Sequence, residues 1–162
     1  MHKIVTEPLD TATFAPFGDV LGAAGPPDWL INAGRAARFH DRARLDFAAD
    51  GRAGVSLIEA MPCALPYRFD LLERHPLGSQ AFIPMAQAPF LVIVAPDAAG
   101  RPGLPRAFVA SPGQGVNLLR GTWHGVLTPL AAPGVFAIID RIGPGPNLEE
   151  YHLPQPVDVV AA

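Results

Sequence analysis

A single cysteine, Cys63, rules out an internal disulfide, so nothing in the chain points to an oxidising compartment. No uninterrupted apolar run approaches the roughly 20 residues that a membrane helix needs. The opening Met1-His2-Lys3-Ile4-Val5 has no long apolar signal core before the polar Thr6-Glu7, and the cytoplasm is the expected location. An excess of one charge is missing too. Lys and Arg number 12 against 15 Asp and Glu, and the formal charge of -3 is too balanced and slightly too acidic for electrostatic binding to nucleic acid. The chain has no strand-to-helix glycine fingerprint for a dinucleotide and no phosphate loop. Gly113-Gln114-Gly115 is a two-glycine turn that runs on into a strand, the wrong setting for phosphate at a helix end. These absences leave a small molecule as the expected partner, with no nucleic acid and no membrane.

What is present is turn chemistry. The 19 prolines and 16 glycines among 162 residues exceed average usage of roughly 5% and 7%, and they are spread between apolar runs. With 49% hydrophobic and 17% charged residues the chain is no disordered segment, and its length suits one domain over residues 1–162. Asp10 ahead of Thr11-Ala12-Thr13-Phe14 predicts a short capped helix, with Pro16 keeping it short and Gly18 as its terminal glycine. Strands are predicted at 55–58, 67–75, 79–85, 90–94, 106–109, 115–118 and 135–141, joined by loops such as 96–103 and 143–147. Many short strands with turns between them predict an all-β barrel or sandwich with a short N-terminal helix.

The chemistry-bearing residues concentrate in two places. In an extended chain Glu73 and His75 share a face, Pro76 and Gly78 break the run, and a returning strand with Gln80, Phe82 and Pro84 restores that face. In the second place a strand reaches Gly121, and His124 follows three residues later beside Trp123. Trp123 reads as a wall residue. An isolated histidine is usually a satisfied, partly buried ring, but the paired spacing argues for more. Arg38-Phe39-His40-Asp41 alternates a cation, an aromatic and an imidazole, and Arg74 and Arg141 add guanidinium groups suited to gripping a carboxylate. For any one arginine the alternative is a salt bridge, as Asp140-Arg141 illustrates. Asp10, Glu149 and Glu150 read as cap and surface charges. Cys63 has no basic neighbour to activate it, and it reads as a small buried hydrophobe.

The spacing of Glu73, His75, Gln80 and His124 resembles the two motifs of small cupin barrels, with Glu73 where a histidine and Gln80 where a glutamate are usual. Two imidazoles, a carboxylate and an amide oxygen leave two readings open: a divalent metal cage, or a metal-free polar pocket. Arg38 to Asp41, Glu73 to Pro84, Gly113 to Asn117, Gly121 to His124 and Ile139-Asp140-Arg141 together resemble the ureidoglycolate lyases, as do Phe14 to Val20 and Ile31 to Gly34. The chain departs from the commoner pattern at Leu118-Leu119, where a Tyr-His pair is frequent, and at Gly125, where a second histidine often follows the first.

The resemblance implies a cupin-like β-barrel or jelly roll, a homodimer, and a carbon–nitrogen lyase of allantoin and purine catabolism that cleaves (S)-ureidoglycolate to glyoxylate and urea. It also implies a divalent metal, nickel or similar, on Glu73, His75, Gln80 and His124. The expected catalytic residues are His75, His124 and His40; Arg38, Arg74, Gln80, Trp123 and Arg141 are expected to bind substrate. Two alternatives stand beside this: an amidohydrolase that releases ammonia from the same substrate, and a non-catalytic module that binds a small hydroxy or sugar acid.

Overall fold

The computed structural model describes residues 2–162, and nearly all of its regular structure is strand. Along the chain run β1 (His2–Pro8), α1 (Thr11–Phe14), β2 (Gly18–Leu21), β3 (Trp29–Ile31), β4 (Ala36–Arg38), β5 (Arg52–Glu59), β6 (Tyr67–Arg74), β7 (Gln80–Pro84), β8 (Phe90–Ala95), β9 (Arg106–Ala110), β10 (Gly115–Leu118), β11 (Trp123–His124), β12 (Thr128–Pro129), β13 (Val135–Ile142) and β14 (Glu149–Val160). One sheet has the order β11-β6-β14-β1-β9-β8-β12, and a further β11–β8 pairing closes six of its strands into a ring. A second sheet, β2-β10-β7-β13-β5, packs across it, and β3 and β4 pair only with each other. The fold is all-β and cupin-like. Among the described residues no helix is long and apolar enough to cross a membrane.

Every predicted strand is present, as is the helix. Asp10 caps it: Oδ1 accepts from the backbone N–H groups of Ala12 at 2.9 Å and Thr13 at 3.0 Å. Gly18 has another role than the terminal glycine expected of it. The helix stops at Phe14 with Ala15 as its right-handed cap, and Gly18 opens β2, where a Cβ would run into the carbonyl oxygen of Asn117 on β10. Strands β1, β2, β3, β4, β11, β12 and β14 go beyond the expectation. The longest, β14, hides Pro154 and Pro156 in a register shift between His152 and Val157, where no ladder N–H is required of them.

Two apolar cores share one wall. Phe90, Val92 and Val94 of β8 join Phe14, Phe82, Phe108, Val116 and Phe136 between the sheets. The alternate residues Leu91, Ile93 and Ala95 join Phe69, Leu72, Trp123 and Val159 inside the six-strand ring. A strand buried on both faces reads as the unbroken apolar run Phe90-Leu91-Val92-Ile93-Val94-Ala95, and all six residues are buried. The phenylalanines interlock edge to face, with the Phe14 and Phe108 rings 5.4 Å apart at 89°. Truncation of a buried Phe such as Phe14 to Ala typically costs about 3–5 kcal/mol.

Candidate active site

The wall that separates the cores also carries the site. Strand β11 lies between β6 and β8, with His124 opposite Glu73 on one side and Val94 on the other. Side chains alternate across a strand, so neighbours in sequence enter different cores. The His124 ring lies 6.3 Å from that of Phe82, toward the space between the sheets. Trp123 lies in the ring's core. His75 follows the end of β6, and its carbonyl accepts the Gly121 N–H at 3.0 Å. Gly121 takes φ +78°, a conformation that favours glycine, so the turn three residues before His124 docks directly on the first motif.

Glu73, His75 and His124 thereby converge, with one ligating atom from each inside a group no wider than 4.8 Å. The His75 and His124 rings are 5.3 Å apart. Each imidazole is fixed through Nδ1, whose N–H donates to a backbone carbonyl: Asn147 at 2.6 Å for His75, Gly125 at 3.0 Å for His124. Both Nε2 atoms are buried without a partner. An Nδ1–H held by a carbonyl leaves Nε2 with a bare lone pair, the form that ligates a cation or takes a proton.

Burial sets the protonation of the site. His124 is 2% exposed, and desolvation lowers its pKa to about 4; the Gly125 carbonyl opposes the shift and His75 adds to it. The ring is therefore neutral near pH 7, so its 3.9 Å approach to Glu73 Oε1 is no ion pair in the ion-free protein. Burial raises the Glu73 carboxyl above its ordinary value; His75 opposes this and the Glu150 charge adds to it. A carboxylate and two imidazoles in one part-buried group match the donor set of a divalent-ion site. Gln80 Nε2 donates to Asp140 Oδ2 at 3.3 Å, and Gln80 Oε1 is buried without a partner.

The remaining sequence candidates lie elsewhere. Arg74 faces away from the triad: its Nε meets Glu149 at 2.6 Å, its NH1 meets Asp97 at 2.8 Å, and its guanidinium lies over the Trp123 ring at 4.5 Å. Trp123 Nε1 donates to the same Asp97 oxygen at 3.0 Å. Arg141 is ion-paired with Asp50, not Asp140, and donates to the Pro144 carbonyl. A Cβ at Gly51, Gly78 or Gly143 would strike the Arg141 side chain, so three glycines form its sleeve. Arg38 is exposed on the β3–β4 hairpin. His40, also exposed, follows that hairpin with its ring 4.7 Å from Trp29 and its N–H on Asp28. Cys63 is half-buried, and burial pushes its thiol up.

Sequence reasoning missed Asn147. Its carbonyl orients His75 and its side-chain oxygen accepts the Leu77 N–H at 2.8 Å, which pins the chain on both sides of Pro76. The Gly-Pro-Gly-Pro run before it signalled a turn and nothing more. Where the resembling family often has polar residues, Leu118 is core and Gly125 has no room for a side chain without displacing Ile93.

Known proteins give the geometry its context. The family model described as "Ureidoglycolate lyase" matches residues 1–160. A ureidoglycolate lyase of Rhodobacter capsulatus is 60% identical over 157 residues, which cover 97% of this chain and 98% of that protein. One of Chelativorans is 51% identical over 160 residues (98% and 97%), and "Ureidoglycolate lyase 2" of Rhizobium meliloti is 49% identical over 160 residues (98% of both). With similarity that runs end to end, the chain belongs to the ureidoglycolate lyase family.

Proposed function

We propose that this protein is a lyase that cleaves (S)-ureidoglycolate to glyoxylate and urea in allantoin breakdown. Membership of the family supports the substrate. The observation that carries the chemistry is the gathering of Glu73 with two histidines whose Nε2 atoms are both buried without a partner. Ureidoglycolate is a hemiaminal. Loss of its hydroxyl proton lets the oxygen's electrons close a carbonyl as the carbon–nitrogen bond breaks, and the departing ureido nitrogen takes up a proton. No covalent nucleophile, oxidant or reductant enters.

His124, held neutral by burial, is the base for the hydroxyl proton, and His75 is oriented beside it by Asn147. Glu73, whose carboxyl holds its proton more tightly than usual, returns a proton to the nitrogen. A divalent ion, nickel or similar, would be held by Glu73, His75 and His124 with Gln80 Oε1 nearby; it would take up the lone pairs that otherwise serve as acid and base, and would supply Lewis-acid polarisation of the substrate hydroxyl in their place. Because Arg74 and Arg141 are engaged in ion pairs, the carboxylate clamp falls to Arg38, with His40 beside it as a second proton carrier.

The chain works as one domain and as a cytoplasmic homodimer. The apolar Val55, Leu57 and Ile83, exposed on the outer face of the second sheet, support self-association. Incubation with ureidoglycolate should release glyoxylate and urea in equal amounts. Ammonia in place of urea would sink the lyase reading in favour of an amidohydrolase. Protein made without a histidine tag should carry about one divalent ion per chain by elemental analysis, and full activity after complete chelation would leave acid–base catalysis alone.

A further inference from the structure

Five buried side-chain atoms among the described residues have no hydrogen-bond partner, and three of them are His75 Nε2, His124 Nε2 and Gln80 Oε1. All three accept and none donates. The two imidazole nitrogens are bare because each Nδ1–H is taken by a backbone carbonyl. The orientation of the Gln80 amide has a cause of its own. An amide carries an oxygen at one corner and an NH2 at the other, and a half-turn about its last bond exchanges them. The group that meets one corner decides which atom the other corner presents.

That group is Asp140. Strand β13 pairs Phe136 with Pro84, Ile138 with Phe82 and Ile139 with Ala81 of β7, so the next step of the ladder brings Asp140 opposite Gln80. Phe136, Ile138 and Phe82 lie in the core between the sheets, and alternation puts Asp140 and Gln80 on that same inner face. It is the face that meets His124, whose ring lies 6.3 Å from that of Phe82. Asp140 Oδ2 accepts from Gln80 Nε2 at 3.3 Å, and among the described residues the carboxylate has no other side-chain hydrogen bond and no ion pair. The adjacent Arg141 offers it no counter-charge, because alternation sends that side chain the other way, to Asp50. A half-buried carboxylate on an inner face without a cation is costly, and stability alone gives no reason for it.

A carboxylate can only accept, so it holds the donor corner of the amide and leaves the oxygen turned away from it. We propose that Asp140 is a positioning residue that locks the Gln80 amide, so that Oε1 acts with Glu73, His75 and His124 as a fourth electron-pair donor to one divalent cation. The inference deepens the proposed reading of the site and rests on it for the presence of the ion, which the test below measures directly. One side chain then has two effects. Asp140 fixes which atom of Gln80 is presented, and its charge polarises the amide so that the presented oxygen is a stronger donor than a free amide. It also places a negative charge behind the donors without taking a position among them.

The test exchanges the roles of the two side chains. Binding of Ni²⁺ to ion-free protein made without a histidine tag is followed by titration calorimetry, a readout that needs no substrate. Asp140→Asn keeps the shape but offers the Gln80 amide a donor as well as an acceptor, so lock and charge are both lost and Ni²⁺ affinity should fall by roughly 10- to 100-fold. Gln80→Glu added to Asp140→Asn puts the carboxylate in front and its amide donor behind, and affinity should return to the wild-type level or above it. An Asp140 that only supports the fold gives the opposite order, with the double variant binding no better than Asp140→Asn. That order, in protein whose unfolding midpoint matches the wild type, would overturn the inference. So would an Asp140→Asn protein that binds Ni²⁺ as tightly as the wild type, or a wild type that binds no divalent cation. With Co²⁺ in place of Ni²⁺, the visible bands of the bound ion should shift in Asp140→Asn, and an unchanged spectrum would remove the fourth donor. Turnover is scored separately: a wild type that binds the ion and responds to the exchange, yet releases no glyoxylate from ureidoglycolate, loses the lyase reading and keeps Asp140 in its role.

Discussion

The two faces of the β6–β11 wall hold side chains of similar chemistry in opposite conditions. On one face Arg74, Trp123, Asp97 and Glu149 satisfy one another, and the indole N–H, with Arg74 and the Gly100 N–H, holds the Asp97 carboxyl below the usual range. On the other face Glu73, His75 and His124 are gathered within 4.8 Å, with two buried nitrogens left bare. A buried polar atom without a partner costs free energy on folding, typically about 1–3 kcal/mol. A cluster that keeps two of them is set up for something other than stability. The satisfied face holds the wall together, and the unsatisfied face is the one to which we assign the chemistry.

That contrast breaks if the two faces respond alike to substitution. His124→Ala should lower kcat/KM by about 10³-fold, or about 4 kcal/mol, without a matching loss of stability in urea. Trp123→Ala should do the reverse. Removal of a buried indole should lower the unfolding free energy by about 3–4 kcal/mol while kcat/KM of the folded fraction stays within tenfold. A Trp123 variant that loses the rate but keeps its stability would merge the two faces.

The pH dependence sharpens the comparison. The His124 pKa is near 4 when folded against an ordinary 6.5, so the unfolded chain binds the proton first as pH falls. In ion-free protein its contribution to stability is therefore complete above about pH 6.5 and drains away toward pH 4, by about 3 kcal/mol at most. Glu73 acts in the opposite sense: its pKa is raised, so its contribution is present at low pH and lost as pH rises through that raised value. Unfolding midpoints of wild type and His124→Gln between pH 4 and pH 7 should show the larger acid-side loss in the wild type, since carboxylates held low, such as Asp97, add the same loss to both. The smallest effect belongs to Arg74→Met, which exchanges a part-exposed ion pair and a cation–π contact for a thioether and should cost about 1 kcal/mol.

The wall also marks where sequence legibility ends. The triad was legible because Glu73 and His75 stand two apart on an extended segment and Gly121 stands three before His124. The central strands were legible as apolar runs. Strand β14 was not, because Pro154 and Pro156 argue against a ladder unless a bulge receives them. Nor was the direction of Arg74 and Trp123. Alternation separates inside from outside on a one-sided sheet, but a wall with a core on each side has no outside. The role of Asn147 was out of reach for another reason, since the atom that orients His75 is a carbonyl that any residue carries.

Strand β8 extends the point to unfolding. Its odd and even residues belong to different cores, so neither can open without exposing half of the same strand. The ring and the sheet packed on it are thus bound into one cooperative unit. In native-state hydrogen exchange the amides of residues 90–95 should be among the last to exchange, at the free energy of global unfolding. If the proposed site is the one used, motion that admits substrate falls to parts outside that unit, such as the loop carrying Asn147 and the turn at Gly121, while the platform beneath His124 stays whole.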